Sequence, residues 1–256
     1  MNSKERIEKI VSKKDFSKLP EKDILLAYSK FEKRQCSEEE KIRLTRDLLR
    51  KVYSAFTSEK LLNIKNKEEE WFLRKHLSTR ERLNYYKELY KKIFYDLGDC
   101  SVIDLGSGIN GFSYNFFPRN RKINYLAVDA VGQLTDLMNF YFKNKNLMAK
   151  AIHESLFNLD EIKKIIKNYE KPRIVFLFKV IDSLEMIERD YSKRLLEEIT
   201  PFCDKLVVSF ATRSMIRRDK FKVNRSWIVN FITENFKLLE DFELGNERYL
   251  VFKNRV

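Results

Sequence analysis

Glycine is distributed very unevenly along this chain of 256 residues. All six glycines lie after residue 97, and Pro20 is the only proline before that point. A long segment with no glycine and one proline favours helices, whereas closely spaced glycines mark tight turns between buried strands. The sequence therefore predicts two differently built domains, one over residues 1–97 and one over residues 98–256.

The front domain has the apolar periodicity of amphipathic helices. Apolar side chains recur every three or four residues over 38–56 and again over 83–97, a spacing that places them on one helix face. We expect about four or five helices before residue 98. The front is therefore predicted to be an all-α N-terminal domain.

The back domain consists of short apolar runs separated by helical patterns. The runs are rich in β-branched and aromatic residues, as strands are, and they lie at 101–105, 123–129, 147–152, 173–179, 205–210, 237–244 and 248–252. Helical patterns fill 132–143, 160–169 and 184–199. The run 174–178 is apolar on both faces, which a parallel sheet between two helix layers requires.

The last two runs are joined by only a few residues around Gly245. So short a connection cannot hold a crossover helix, and the two strands must pair antiparallel. The predicted fold class is α/β, with a mostly parallel sheet that ends in an antiparallel C-terminal hairpin. This arrangement resembles the class I (Rossmann-like) methyltransferase fold more than a plain dinucleotide-binding fold.

A glycine-rich loop follows the first predicted strand and an acid closes the second. The loop contains Gly106, Gly108 and Gly111, and Asp129 lies 25 residues beyond Asp104. Glycines let the backbone turn sharply and approach a ligand, while an acid at this point can accept both hydroxyls of a ribose. A redox nucleotide would use the same features, and a tight turn with Asp129 as a helix cap is the structural alternative. The aspartate two residues before Gly106 and the terminal hairpin favour S-adenosyl-L-methionine.

Three segments carry a more specific likeness. They are His-Leu-Ser-Thr-Arg-Glu-Arg-Leu at 76–83, Gly-Ser-Gly-Ile-Asn at 106–110 with Phe-Lys at 178–179, and Val-Ser-Phe-Ala-Thr-Arg-Ser at 208–214. Together they resemble the aminoglycoside-resistance methyltransferases that modify a guanine N7 in the decoding site of 16S ribosomal RNA. The likeness covers residues from about 76 to 253.

This resemblance implies roles for individual residues around the cofactor. Arg82 would pair with the methionine carboxylate, Asp129 would hold the ribose, and Lys179 would lie at the carboxyl end of a strand, where such sheets bind ligands. The full set of implied cofactor-binding residues is His76, Ser78, Arg82, Gly106, Gly108, Asp129, His153, Glu154 and Lys179. Within it, His153 and Glu154 would flank adenine, although from spacing alone a solvated loop fits them as well.

The chain carries a net charge of +13, which favours a polyanionic partner such as RNA. One local cluster of cations contains a single acid, Asp219, and it comprises Arg213, Arg217, Arg218, Lys220, Lys222 and Arg225. We expect this cluster to bind substrate RNA, and the helical front domain to contribute to RNA binding. The segment after Ser214 departs from the family pattern because it contains no glycine, so the target nucleotide stays open.

Several classes of protein are disfavoured by what the sequence lacks. Cys36, Cys100 and Cys203 are far apart and in no metal-type spacing, so neither a disulfide framework nor a metal site is expected. There is no signal peptide and no apolar run of the roughly 18 residues that a membrane span needs. We expect a monomeric cytoplasmic protein with no membrane partner.

The residues after the fourth strand narrow the chemistry. Val180-Ile181-Asp182-Ser183 stands where an amine methylase would carry an Asp/Asn-Pro-Pro-aromatic motif. A ring nitrogen such as guanine N7 has a free lone pair and needs no general base, so positioning alone can drive transfer. We therefore predict an rRNA methyltransferase acting on the 30S subunit, with no catalytic acid or base assigned and with either antibiotic resistance or housekeeping as its role. The alternatives are a methyltransferase for tRNA or a small molecule, and an RNA-binding protein without activity.

Overall fold

The computed structural model describes residues 2–13, 16–53, 67–212 and 225–255. The front domain contributes six α-helices in these ranges: α1 (Ser3–Val11), α2 (Glu21–Glu32), α3 (Glu38–Val52), α4 (Glu69–Lys75), α5 (Leu77–Arg82) and α6 (Tyr86–Ile93). Side chains cap two of them, since Asn2 accepts from the backbone of Glu5 and Ser37 from that of Glu40, which satisfies otherwise unpaired N–H groups.

The expected count of four or five helices was too low. His76 has an extended backbone that separates α4 from α5, and the segment predicted as one helix over 83–97 begins with a 3₁₀ turn, Leu83–Tyr85, and ends its α-helical part at Ile93. Periodicity could not show these breaks because the apolar face continues through them.

The back domain contains one sheet of seven strands. They are β1 (Cys100–Leu105), β2 (Ile123–Asp129), β3 (Ala149–His153), β4 (Arg173–Phe178), β5 (Lys205–Ala211), β6 (Lys237–Leu244) and β7 (Glu247–Lys253). Their order is β3-β2-β1-β4-β5-β7-β6. Strands β1 to β5 are parallel, whereas β7 pairs antiparallel with both β5 and β6. The predicted α/β class with its antiparallel hairpin is confirmed.

Five helices accompany the sheet: α7 (Gly132–Asn144), α8 (Leu159–Lys167), α9 (Ile181–Ile187), α10 (Tyr191–Ile199) and α11 (Ser226–Asn235). The prediction of a single helix over 184–199 was wrong. Asp190 adopts a left-handed backbone with φ of 62°, and the chain turns there between α9 and α10. None of the helices in the described ranges is long and apolar enough to span a membrane.

Alternate residues of the strands point to opposite faces of the sheet and form two apolar clusters. Val102 and Phe176 belong to the cluster that also contains Ile24 and Leu49 of the front domain. Their neighbours Ile103, Val175 and Leu177 pack with the residues of α8 to α11. The front helices therefore cover one face of the sheet, and they reach the edge where the parallel strands end.

Candidate functional site

A cavity of about 230 Å³ lies at the carboxyl ends of β1, β2 and β4. In an open parallel sheet this edge is where ligands bind. The back domain contributes the turn after β1, the ends of β2 and β4, and apolar side chains that follow β3. The front domain closes the cavity with residues of α2, the end of α3 and the segment from His76 to Arg82.

The turn after β1 requires its first two glycines. Gly106 and Gly108 have φ of 68° and 54°, a region that residues with a side chain rarely adopt. A Cβ on Gly106 would lie 2.6 Å from Cγ2 of Val180. The backbone of this turn therefore forms part of the cavity wall, and residues with a side chain would be strained at these two positions.

Asp129 ends β2 at the rim of the cavity. Its Oδ2 accepts a hydrogen bond from the N–H of Gly108 at 2.7 Å, and its Oδ1 accepts one from Val131 at 2.8 Å. Burial raises the pKa of Asp129, while these two N–H groups oppose the rise. Each oxygen retains a second lone pair, so the carboxylate is held in place and can still accept ribose hydroxyls.

Arg82 is buried at the opposite end of the cavity and pairs with Glu247, the first residue of β7. Its Nη2 lies 2.7 Å from Oε1 and its Nε 3.3 Å from Oε2 of that carboxylate. Burial raises the pKa of Glu247, but the charges of Arg82 and Lys179 outweigh this and hold the pKa below its usual range. The resemblance did not indicate this acid as the partner of Arg82.

Lys179 follows β4 with a left-handed backbone, φ 59°. Its Nζ lies 2.7 Å from Oε2 of Glu81 and 3.3 Å from Oε2 of Glu247. Arg82 and Lys179 thus place two buried positive charges beside one end of the cavity. The carboxylates of Glu81 and Glu247 balance these two charges, so a ligand carboxylate would bind here through N–H donors that the two acids do not use, and not through a net positive charge.

His76 and Ser78 lie next to this charged cluster. Oγ of Ser78 is 2.9 Å from Nδ1 of His76. Burial, together with the nearby charges of Arg82 and Lys179, lowers the pKa of His76 to about 3. The imidazole is therefore neutral at physiological pH, so it adds no third charge to this end.

Asn110 joins the charged cluster to the first strand. Its Oδ1 accepts from Nη1 of Arg82 at 3.0 Å, and its Nδ2 donates to Oδ2 of Asp104 at 2.7 Å. Burial raises the pKa of Asp104 to about 6, although hydrogen bonds from Tyr125 and Asn110 stabilise the charged form. Asp104 and Asn110 both line the cavity.

His153 and Glu154 do not belong to the described residues that line the cavity. The ring of His153 contacts the carbonyl oxygen of Ala130 through Nε2 at 2.9 Å. The Glu154 carboxylate accepts from the N–H of Ser155 and from Asn158 in its own loop. The side chains that do reach the cavity after β3 are those of Leu156 and Phe157.

Of the predicted RNA-binding cations, Arg213, Arg217, Arg218, Lys220 and Lys222 lie outside the described residues. Arg225 is described, and it turns inward. Its Nη2 lies 2.6 Å from Oδ2 of Asp182, it also donates to the carbonyl of Ala211, and its side chain is only 11% exposed. It lines the cavity rather than an outer surface.

The polar residues of this site that sequence reasoning did not assign include Asp23, Tyr53, Asn110 and Glu247. Two of them left a signal. Asp23 is an acid on the apolar stripe of α2, beside Ile24, and Glu247 begins a strand that is otherwise almost wholly buried. A charged residue at a core position indicates a buried partner or a ligand.

Residues 40–228 match the family model described as ribosomal RNA methyltransferase (FmrO). The chain belongs to this family. It is 26% identical over 189 residues to the 16S rRNA (guanine(1405)-N(7))-methyltransferase of Proteus mirabilis, covering 69% of this chain and 62% of the relative. The enzyme of the same name from Micromonospora rosea is 25% identical over 183 residues, with 70% and 63% covered. The chain thus aligns with less than two thirds of the length of these relatives.

Solved structures share the fold over nearly the whole chain. The 16S rRNA methylase RmtB superposes with a TM-score of 0.81 at 18% identity, covering 100% of this chain and 99% of the other. RmtF, in complex with S-adenosyl-L-homocysteine, gives 0.80 at 18% identity, with 99% of each chain covered. Both likenesses extend into the helical front, so the all-α domain is part of the shared architecture.

Proposed function

We propose that the chain is an S-adenosyl-L-methionine-dependent methyltransferase that modifies a guanine N7 of 16S rRNA in the small ribosomal subunit. The observation that carries the proposal is the cavity itself, in which a glycine turn, an acid that ends β2 and two buried cations lie around one space in a chain of the FmrO family. The names of its relatives support the choice of substrate.

The two ends of the cavity fit the two ends of the cofactor. Asp129 offers lone pairs to ribose hydroxyls, and Ala130, Val131, Leu134, Leu156 and Phe157 supply apolar surfaces for a flat base. Arg82 suits the methionine carboxylate, as the resemblance implied, and Lys179 lies beside it at the end of β4. Ser78 and neutral His76 lie beside these cations.

S-adenosyl-L-methionine supplies an activated methyl group on a sulfonium. When bound, the cofactor would supply this methyl to the lone pair of guanine N7, with the carbon–sulfur bond pair returning to sulfur and the positive charge passing to the base. No proton is transferred, so a site without a general base suffices. The chain's own residues then act by orienting the two reactants, which can lower the activation free energy by up to about 7–11 kcal/mol.

Labelled S-adenosyl-L-methionine incubated with 30S subunits, free 16S rRNA and tRNA tests the proposal. We expect label in the 30S subunit, with cleavage at one guanine after the borohydride and aniline treatment that detects N7-methylguanine. Label confined to tRNA, or none in any RNA, would contradict it.

We also propose that the chain acts as a cytoplasmic monomer, and that its expression raises the aminoglycoside concentration that susceptible bacteria tolerate.

A further inference from the structure

The helical front domain carries a buried carboxylate that faces the cofactor cavity. Asp23 lies in the first turn of α2, is only 1% exposed, and lines the cavity. Its Oδ1 accepts a hydrogen bond from the hydroxyl of Tyr53, which follows α3. For its Oδ2, the described residues offer no donor at the distance and angle of an ordinary hydrogen bond.

Asp23 lies at the end of the cavity where β2 and β3 finish. The hydroxyl of Ser155, two residues after β3, lowers the pKa of Asp23, whereas burial and the nearby charge of Glu154 raise it. Asp23 and Asp129 also affect one another electrostatically. Arg82, Glu247 and Lys179 form a separate group of mutual contacts.

A buried carboxylate offers about four lone pairs, so Asp23 can accept a further donor beside the hydroxyls of Tyr53 and Ser155, and an incompletely satisfied buried acceptor is destabilising. The same cavity is lined by the apolar side chains of Val131, Leu134, Leu156 and Phe157. A flat ring between such side chains would bring its own edge to the carboxylate. The 6-amino group of adenine is a donor of the right kind.

We infer that Asp23 is the acceptor for the 6-amino group of the cofactor's adenine, so that α2 of the front domain completes the adenine subsite. The inference rests on the proposed function for the identity of the ligand. It replaces the role expected for Glu154, whose carboxylate instead accepts hydrogen bonds within its own loop. Tyr53 is the positioning residue, because its hydroxyl fixes the orientation of the Asp23 carboxylate.

The test compares two ligands by calorimetry: S-adenosylhomocysteine and its 6-deamino analogue, in which purine replaces adenine. Wild-type protein should bind the adenine ligand about tenfold or more tightly than the purine ligand, as expected for a hydrogen bond to a charged acceptor. In Asp23→Ala the two dissociation constants should become nearly equal. The loss should fall almost entirely on the adenine ligand.

Two further variants keep the test interpretable. Asp23→Asn retains the shape of the side chain and a partner for Tyr53, so it tests the contact even if Asp23→Ala fails to fold. It should reduce the ratio of the dissociation constants of the purine and adenine ligands. Asp160→Asn makes the same change at an exposed carboxylate of α8 that does not line the cavity, and it should leave the ratio of the two dissociation constants at the wild-type value.

The outcomes separate the two levels of the argument. If wild-type protein binds neither ligand, the proposed function fails. If it binds S-adenosylhomocysteine but folded Asp23→Asn and Asp23→Ala keep the wild-type ratio, only the adenine contact is overturned, and Asp23 is then a structural partner of Tyr53.

Discussion

Arg82 and Glu247 show how strongly single residues couple distant parts of the chain. Both side chains are almost fully buried, with 2% and 3% exposure, and they are hydrogen-bonded as a two-pronged pair. Removing one partner of such a pair leaves an uncompensated charge in a site that water cannot reach. A loss of function on changing Arg82 could therefore arise from the fold or from the ligand.

We expect Arg82→Ala to lower the free energy of unfolding by about 3–5 kcal/mol, because Glu247 keeps its charge and loses its main partner. The double variant Arg82→Met with Glu247→Gln should regain a large part of that loss. Urea unfolding of Arg82→Met, Glu247→Gln and the double variant that combines them gives the coupling energy directly. Additivity to within about 0.5 kcal/mol would show that the pair contributes nothing beyond its separate parts.

Asp129 gives the corresponding test at the other end of the cavity. Asp129→Ala should weaken binding of S-adenosylhomocysteine about tenfold or more, since the ribose hydroxyls lose a charged acceptor. Asp136→Ala removes an exposed acid from α7 and is the control, with unchanged affinity expected. An unchanged dissociation constant in folded Asp129→Ala would remove this residue from the ribose subsite.

At the level of elements, the sequence was most informative where one physical rule acts alone. The strands of the sheet and the antiparallel hairpin were predicted because a buried run of apolar residues and a short connection each allow one solution. The break between α9 and α10 was missed because Asp190 adopts its left-handed backbone without a glycine.

The residues of the site were also predicted only in part. Local patterns identified Gly106, Gly108 and Asp129, which lie at the cavity. Contacts between residues that are distant in sequence could not be predicted without the fold. Examples are the pairing of Arg82 with Glu247 and the presence of Asp23 and Leu156 in one cavity. His153 and Glu154 were assigned from their place after a strand, and position along the chain did not reveal which way their side chains turn.

The glycine turn allows a prediction with an internal control. Gly106→Ala must adopt a left-handed backbone, a penalty of about 1–2 kcal/mol, and its Cβ would meet Val180 at 2.6 Å. We expect a lower melting temperature and weaker binding of S-adenosylhomocysteine. A Cβ added at Gly98 meets nothing within 4 Å. Gly98→Ala should therefore change the free energy of unfolding by no more than an ordinary surface substitution does, about 0.5 kcal/mol, and its melting temperature should stay close to that of the wild type. Equal melting temperatures for the two variants would show that the turn tolerates a side chain.

At the level of the whole molecule, the distribution of charge gives a test of the proposed RNA substrate. The net charge is +13, and the densest cluster of cations falls in 213–224, outside the described residues, between β5 and α11. Arg225, which follows these residues, is paired with Asp182 at the cavity wall. This one described member of the sequence cluster therefore lies at the cofactor site.

Replacing Arg217, Arg218 and Lys220 together by Ala should weaken binding to 30S subunits and reduce the slope of log affinity against log salt by up to about three units. Affinity for S-adenosylhomocysteine should stay close to that of the wild type. The matched control changes Lys164, Lys167 and Lys171, three exposed cations of α8 and the segment before β4. If both triple variants lose the same salt dependence, the cluster has no special role in RNA binding.

The pairing of Arg82 with Glu247 also orders events during synthesis of the protein. Position 82 leaves the ribosome 165 residues before position 247, and β7 must then insert between β5 and β6 to bring the carboxylate into place. A nascent chain that has exposed residues 1–240 already contains the glycine turn, Asp129 and Lys179, but its buried guanidinium lacks its counter-ion. The buried charge of Arg82 is therefore balanced by Glu247 only after β7 has been synthesised and has paired with β5.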